Sequence, residues 1–150
     1  MVVEQRDKFG TSQPLMLGFD PGRQKCGLAV MGGDRRVVYQ GIVPVEQVLD
    51  TVQKLRQDFP INLLVMGDQT LAKFWQQQLS ALPDPLPIVM VDERHSSLMA
   101  RDRYWQLYPP NWLHRLIPQG MRLPPRPLDD IVAILLIERY LASLMAEAEG

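Results

Sequence analysis

Five carboxylates stand where apolar runs give way to turns or where a helix begins: Asp20, Asp92, Glu93, Asp129 and Asp130. Asp20 closes the run Leu15 to Phe19 just before Pro21-Gly22. Asp92 and Glu93 close the run Leu86 to Val91, and Asp129-Asp130 opens a C-terminal helical stretch. Ligand and metal sites in α/β proteins gather at the carboxyl ends of strands. If these acids converge, their repulsion must be neutralised, and a hard divalent cation with oxygen ligands does that. Such ions serve phosphodiester hydrolysis by activating water and steadying the leaving oxygen. Spacing alone leaves the alternative open: caps and turn residues scattered over the surface.

The neighbours of these acids suit an anionic ligand. In the turn Asp20-Pro21-Gly22-Arg23-Gln24-Lys25, glycine lets the backbone approach a ligand closely, and Arg23 and Lys25 could meet phosphates. An Asp-x-Gly turn also opens actin-like and sugar-kinase folds, but those need a second large domain, for which 150 residues leave no room. Arg94 could be an ion-pair partner of the acids beside it or a phosphate clamp. Six arginines (Arg94, Arg101, Arg103, Arg115, Arg122 and Arg126) face one acid, Asp102, so this segment carries +5 in a chain of formal net charge −1. A basic segment beside an acidic centre suits a polyanion; a solvated arginine-rich surface is the plainer reading. Tyr104, Trp105, Tyr108 and Trp112 could stack on bases, although helix-spaced aromatics more often pack into a core. His95 could orient a phosphate or face solvent. Ser96 or Ser97 reads as a helix cap, and His114 as structural. The single cysteine, Cys26, excludes an internal disulfide and a thiolate zinc cluster, and reads as a small buried hydrophobe.

The elements that must position these residues follow from periodicity. Leu15–Phe19, Cys26–Met31 and Arg36–Val43 are short strand candidates joined by tight turns, as in an antiparallel meander. Helical spacing then runs from Glu46 to Phe59 and stops at Pro60. Ile61–Met66 is a fully apolar run between two helical segments, the mark of a parallel strand covered on both faces. A second helix spans Leu71 to Leu82, a fifth strand Leu86 to Val91, a third helix Leu98 to Tyr108, and a last helix runs from Asp129 to about Met145. The expected order is β-β-β-α-β-α-β-α-loop-α, one α/β domain over 14–146 with a central mixed five-stranded sheet flanked by helices. Residues 1–13 read as a loose lead-in, and 109–127, with six prolines, as an irregular or partly helical insert. Apolar residues at 46% and charged residues at 22% fit a globular chain, no run is long enough to span a membrane, and the polar start does not resemble a signal peptide. The expected location is the cytoplasm.

Three segments together resemble one family. Phe19-Asp20-Pro21-Gly22-Arg23-Gln24-Lys25-Cys26-Gly27-Leu28-Ala29-Val30 is similar to the opening motif of the YqgF family of Holliday junction resolvase-like, ribosomal RNA maturation nucleases. Val91 to Ala100 resembles that family's Asp-Glu-Arg motif with its serine pair, and Leu128-Asp129-Asp130-Ile131-Val132-Ala133 its terminal helix. The chain looks like a divergent cyanobacterial-type member, and the resemblance spans about residues 15 to 142. It implies a ribonuclease H-like fold, with Asp20, Glu93 and Asp129 as the catalytic, metal-binding set and Asp130 as a neighbour that could substitute or assist. It implies Mg2+ or Mn2+ as cofactor. The partner would be a nucleic acid, structured RNA such as the small-subunit ribosomal RNA precursor before branched DNA, with Arg23, Lys25, Arg94, Arg101 and Arg122 as contacts. A homodimer stays open. Gly67-Asp68-Gln69-Thr70 lacks the proline and second glycine that the family usually shows after this strand. That departure keeps a weakly catalytic or inactive RNA- or ribosome-binding protein as an alternative; a Holliday junction resolvase is another.

Overall fold

Alternation along the first strand divides the interior into two faces. The computed structural model describes residues 14–94, 96–111, 115–118 and 124–149. Strand β1 (Leu15–Asp20) sits at the centre of a five-stranded sheet. It pairs antiparallel with β2 (Lys25–Gly32), which pairs antiparallel with β3 (Val37–Pro44). On its other side β1 runs parallel to β4 (Ile61–Gly67), and β4 parallel to β5 (Ile88–Val91). The sheet order is therefore β3-β2-β1-β4-β5. A short 3-10 turn (Val45–Gln47) leads into helix α1 (Val48–Asp58); the others are α2 (Ala72–Ser80), α3 (Ser96–Leu107) and α4 (Asp129–Glu149).

Leu15, Leu17 and Phe19 of β1, with Leu28, Val30, Leu64 and Met66, pack against Val48, Val52 and Leu55 of α1 and Trp75 and Leu79 of α2. Phe19 meets Trp75 edge to face, with ring centroids 5.3 Å apart. Met16, Ala29, Met31 and Val65 point the other way, toward Ala100 of α3 and Ile131 to Ile137 of α4. A two-residue period produces this division, because successive side chains of a strand leave opposite faces. Ile131, Ile134, Leu136 and Ile137 are fully buried. At about 1.5–3 kcal/mol for each such side chain, their burial anchors the helix on the sheet.

The same period puts Gly18 and Gly27 under α4. A β-carbon at Gly18 would collide with the Ala133 carbonyl, and one at Gly27 with the Asp129 carbonyl. The helix backbone thus rests directly on the strands.

The observed sheet and element order match the expected α/β architecture. Helix limits differ by a few residues. α1 begins after the 3-10 turn, α3 starts at Ser96 rather than Leu98, and α4 continues to Glu149 because no breaker follows Met145. The expected lead-in 1–13 and much of the 109–127 insert lie outside the described residues. Among the described residues, no helix is long and apolar enough to cross a membrane.

Candidate functional site

Asp20 is the last residue of β1, and its ladder partner on β2 is Gly27. Because Gly27 has no side chain, the Asp129 carbonyl occupies the space above it, and the first turn of α4 lands beside Asp20. Glu93 arrives by another route. β5 ends at Val91, opposite Gly67, and Glu93 folds back so that a β-carbon at Gly67 would overlap its carboxyl group. Two glycines therefore bring three acids from three elements together. Asp20 and Glu93 share a side-chain hydrogen bond, and the Asp129 charge acts on Asp20.

Burial dominates the electrostatics of this cluster. Loss of solvent, then the charges of Glu93 and Asp129, then the hydrogen bond with Glu93 raise the Asp20 carboxyl to about 8. Glu93, only 4% exposed, is raised by burial, its hydrogen bond with Asp20 works the other way, and the Asp68 charge raises it. Asp129 is raised by burial and by Asp130, against a lowering by Lys25. All three acids thus hold a proton more firmly than an isolated carboxyl does.

Among the described residues, no group of three or more His, Cys, Asp or Glu side chains is arranged to hold a metal ion. Two buried oxygens in the cluster nevertheless lack a hydrogen-bond partner, Glu93 Oε1 and Asp129 Oδ2. Lys25 Nζ lies 4.0 Å from Asp129 Oδ2, an ion-pair distance too long for a hydrogen bond. Orphaned buried acceptors are costly. Here they are hard carboxylate oxygens, and that donor chemistry fits Mg2+ or Mn2+.

Asp130 turns elsewhere. Its Oδ1 accepts from Arg126 Nη1 at 2.9 Å and from the Ile131 N–H at 3.0 Å, and its Oδ2 accepts from Gln40 Nε2 at 2.9 Å. Both oxygens are engaged, which pins α4 to β3. Arg126 also lies over the Tyr104 and Tyr108 rings, 5.4 and 5.7 Å from their centroids. Tyr104 and Trp105 are buried and pack against each other, so they belong to the interior.

The basic run is largely matched by acids. Arg94 pairs with Asp92 at 2.7 Å, Arg103 with Glu138 at 3.1 Å, and Arg126 with Asp130. Arg101 and Arg115 also have interaction partners. The β1–β2 turn adds two exposed cations, Arg23 and Lys25, and the half-exposed Lys25 side chain comes within ion-pair distance of Asp129. Buried Cys26 holds that turn, its Sγ accepting from the Gly22 N–H at 3.4 Å. Burial raises its thiol, which stays protonated and inert, as expected of a small core residue. His95, Trp112, His114 and Arg122, and the side chains of Ser96 and Ser97, lie outside the described residues.

Several contributors escape sequence reasoning. Gly27 and Gly67 act through contacts with distant residues. Asp68 accepts from the Glu93 N–H at 3.4 Å, and Arg139 of α4 reaches the backbone on either side of Glu93. Glycines inside strand candidates, Gly27 in β2 and Gly67 at the end of β4, are the sequence signal for such close backbone approach.

No family model matches this chain. It is 31% identical over 147 residues to the "Putative pre-16S rRNA nuclease" of Xylella fastidiosa strain M23, covering 87% of this chain and 89% of that protein. The same protein from strain 9a5c matches equally. Among solved structures, T. thermophilus RuvC in complex with Holliday junction substrate superposes with a TM-score of 0.55 at 16% identity, covering 87% of this chain and 96% of that one. At that identity the likeness establishes a shared fold.

Proposed function

This chain belongs to the YqgF family of pre-16S rRNA nucleases, and on that premise we propose that it is a divalent-metal-dependent endonuclease. Its substrate is structured nucleic acid, with ribosomal RNA precursor favoured over branched DNA. The observation that carries the reading is the hydrogen-bonded Asp20–Glu93 pair beside Asp129, with two buried carboxylate oxygens lacking partners. Asp20, Glu93 and Asp129 would hold Mg2+ or Mn2+. When bound, such a cation supplies charge stabilisation to a phosphodiester undergoing hydrolysis.

The chain's own residues supply the rest. Burial against α4 keeps the acids out of bulk water and strengthens every charge interaction there. Arg23 and Lys25, on the rim made by the β1–β2 turn, draw in the phosphate backbone. Arg94, Arg101 and Arg122 are further phosphate contacts, Arg94 after exchanging Asp92 for a phosphate. Asp130 holds α4 so that Asp129 faces Asp20, and it assists rather than replaces Asp129. Residues 14–146 act as one domain in the cytoplasm.

The experiment is cleavage of structured RNA and branched DNA with Mg2+ or Mn2+, comparing wild type with Asp20→Asn and Glu93→Gln. Cleavage that drops at least about a hundredfold in both variants supports the reading; equal rates overturn it. A second reading, a non-hydrolysing RNA-binding protein, is favoured by the absence of an arranged metal-ligand group among the described residues. It requires tight RNA binding without divalent cation and no cleavage with it.

A further inference from the structure

We propose that Arg139 is a positioning residue for Glu93, clamping the backbone on both sides of that acid from the far end of the buried stretch of α4. The inference rests on the reading of Asp20, Glu93 and Asp129 as a divalent-cation site. One Arg139 nitrogen, Nη1, donates to the Asp92 carbonyl, and the other, Nη2, to the Arg94 carbonyl at 2.7 Å. Nη2 also contacts Met99 Sδ of α3 at 2.9 Å. Glu93 is the residue between the two carbonyls. Asp92, Glu93 and Arg94 belong to no helix or strand, since β5 ends at Val91 and α3 starts at Ser96. Among the described residues, their backbone N–H groups make a weak 3.4 Å bond from Glu93 to Asp68 and a local bond from Arg94 to Asp92.

The guanidinium suits this role. Its planar fork can bridge two carbonyls at fixed separation, and a charged donor makes a stronger bond than a neutral one. Its helix matters as much. Arg139 lies ten residues beyond Asp129 on the same helix, about 15 Å along the axis. Docking of α4 therefore sets Asp129 directly and Glu93 through Arg139.

Mn2+ binding without substrate, followed by calorimetric titration, tests this in wild type, Asp20→Asn, Arg139→Gln, Arg139→Lys and Arg103→Gln. Arg139→Gln is expected to weaken Mn2+ binding at least tenfold, the scale of losing a group that orients a ligand. Arg139→Lys should lose less, since an ammonium can still donate to one carbonyl, and it serves as the test if Arg139→Gln does not fold. Arg103→Gln removes the pair with Glu138 that joins the same two helices. It should stay within about twofold of wild type. Amide exchange at Glu93 and Arg94 should quicken in Arg139→Gln and not in Arg103→Gln. Wild-type affinity in Arg139→Gln with binding abolished in Asp20→Asn would overturn the clamp alone, as would equal weakening by Arg103→Gln. If the wild type binds no Mn2+, the cation site falls, and unchanged exchange at Glu93 and Arg94 then overturns the clamp as well.

Discussion

The Asp20 and Glu93 side chains hydrogen-bond to each other, which two fully ionised carboxylates cannot do, because neither would carry a donor. Burial and the charges of Glu93 and Asp129 favour the protonated form of Asp20. On the proposed function, a cation would compete with a proton for the same oxygens, so pH and divalent metal would act on the site from opposite directions.

Stability without divalent cation should fall as pH rises from about 4 to about 8. The folded protein holds the Asp20 proton up to about 8, while the unfolded chain releases it near the ordinary aspartate value of 3.8. The folded state thus binds more protons over that window, and the stabilisation present below the unfolded value is lost on the way to the folded one. The expected slope is on the order of 1 kcal/mol per pH unit. Thermal melts in chelator should show Asp20→Asn gaining on wild type toward pH 8. Parallel curves for the two proteins would refute this.

Mn2+ should raise the wild-type melting temperature at pH 8 by several degrees and release protons on binding. A cation at a hundred times its dissociation constant contributes about 2.7 kcal/mol to the folded state. Asp20→Asn and Glu93→Gln should show little of this shift. An equal shift in all three proteins would place the cation elsewhere.

Gly27→Ala and Gly67→Ala should separate stability from activity. At Gly27 the new methyl meets the Asp129 backbone, which cannot yield without lifting α4, so a loss of about 3 kcal/mol is expected. At Gly67 it meets the end of the Glu93 side chain, which can swing away at a cost of about 1 kcal/mol. Gly67→Ala should remain folded and lose cation affinity and cleavage. Urea unfolding beside Mn2+ titration distinguishes the two, and a Gly67→Ala protein with wild-type Mn2+ affinity would contradict the packing argument.

Asp130→Asn should lower stability by about 2 kcal/mol, because it weakens a buried pair with Arg126 and its bond from Gln40. Mn2+ affinity should stay within about twofold of wild type. A tenfold loss with unchanged melting would make Asp130 a ligand instead of an anchor.

The sheet was legible because each strand is a short apolar run closed by a turn, as in Leu15–Phe19 before Asp20-Pro21-Gly22. The positions of Asp20, Glu93 and Asp129 at element ends were legible for the same reason. Their approach to one another was not, since it depends on Gly27 and Gly67 admitting groups from residues far away in the chain. The charge count over Arg94 to Arg126 overstated the free positive charge: Arg103 finds Glu138 and Arg126 finds Asp130, two acids outside that segment. Nothing near Arg139 in sequence marks its reach to the Glu93 backbone, forty-odd residues upstream. Asp129 and Asp130 are adjacent and chemically alike. Only the partners of Asp130 tell them apart.

Asp129 stands on the last helix, and its carbonyl seats on a glycine more than a hundred residues earlier in the chain. During synthesis the acidic cluster therefore cannot close until that helix has left the exit tunnel and docked. A half-made chain carries Asp20 and Glu93 without Asp129, so the three acids meet only as the late step of folding that seats this helix.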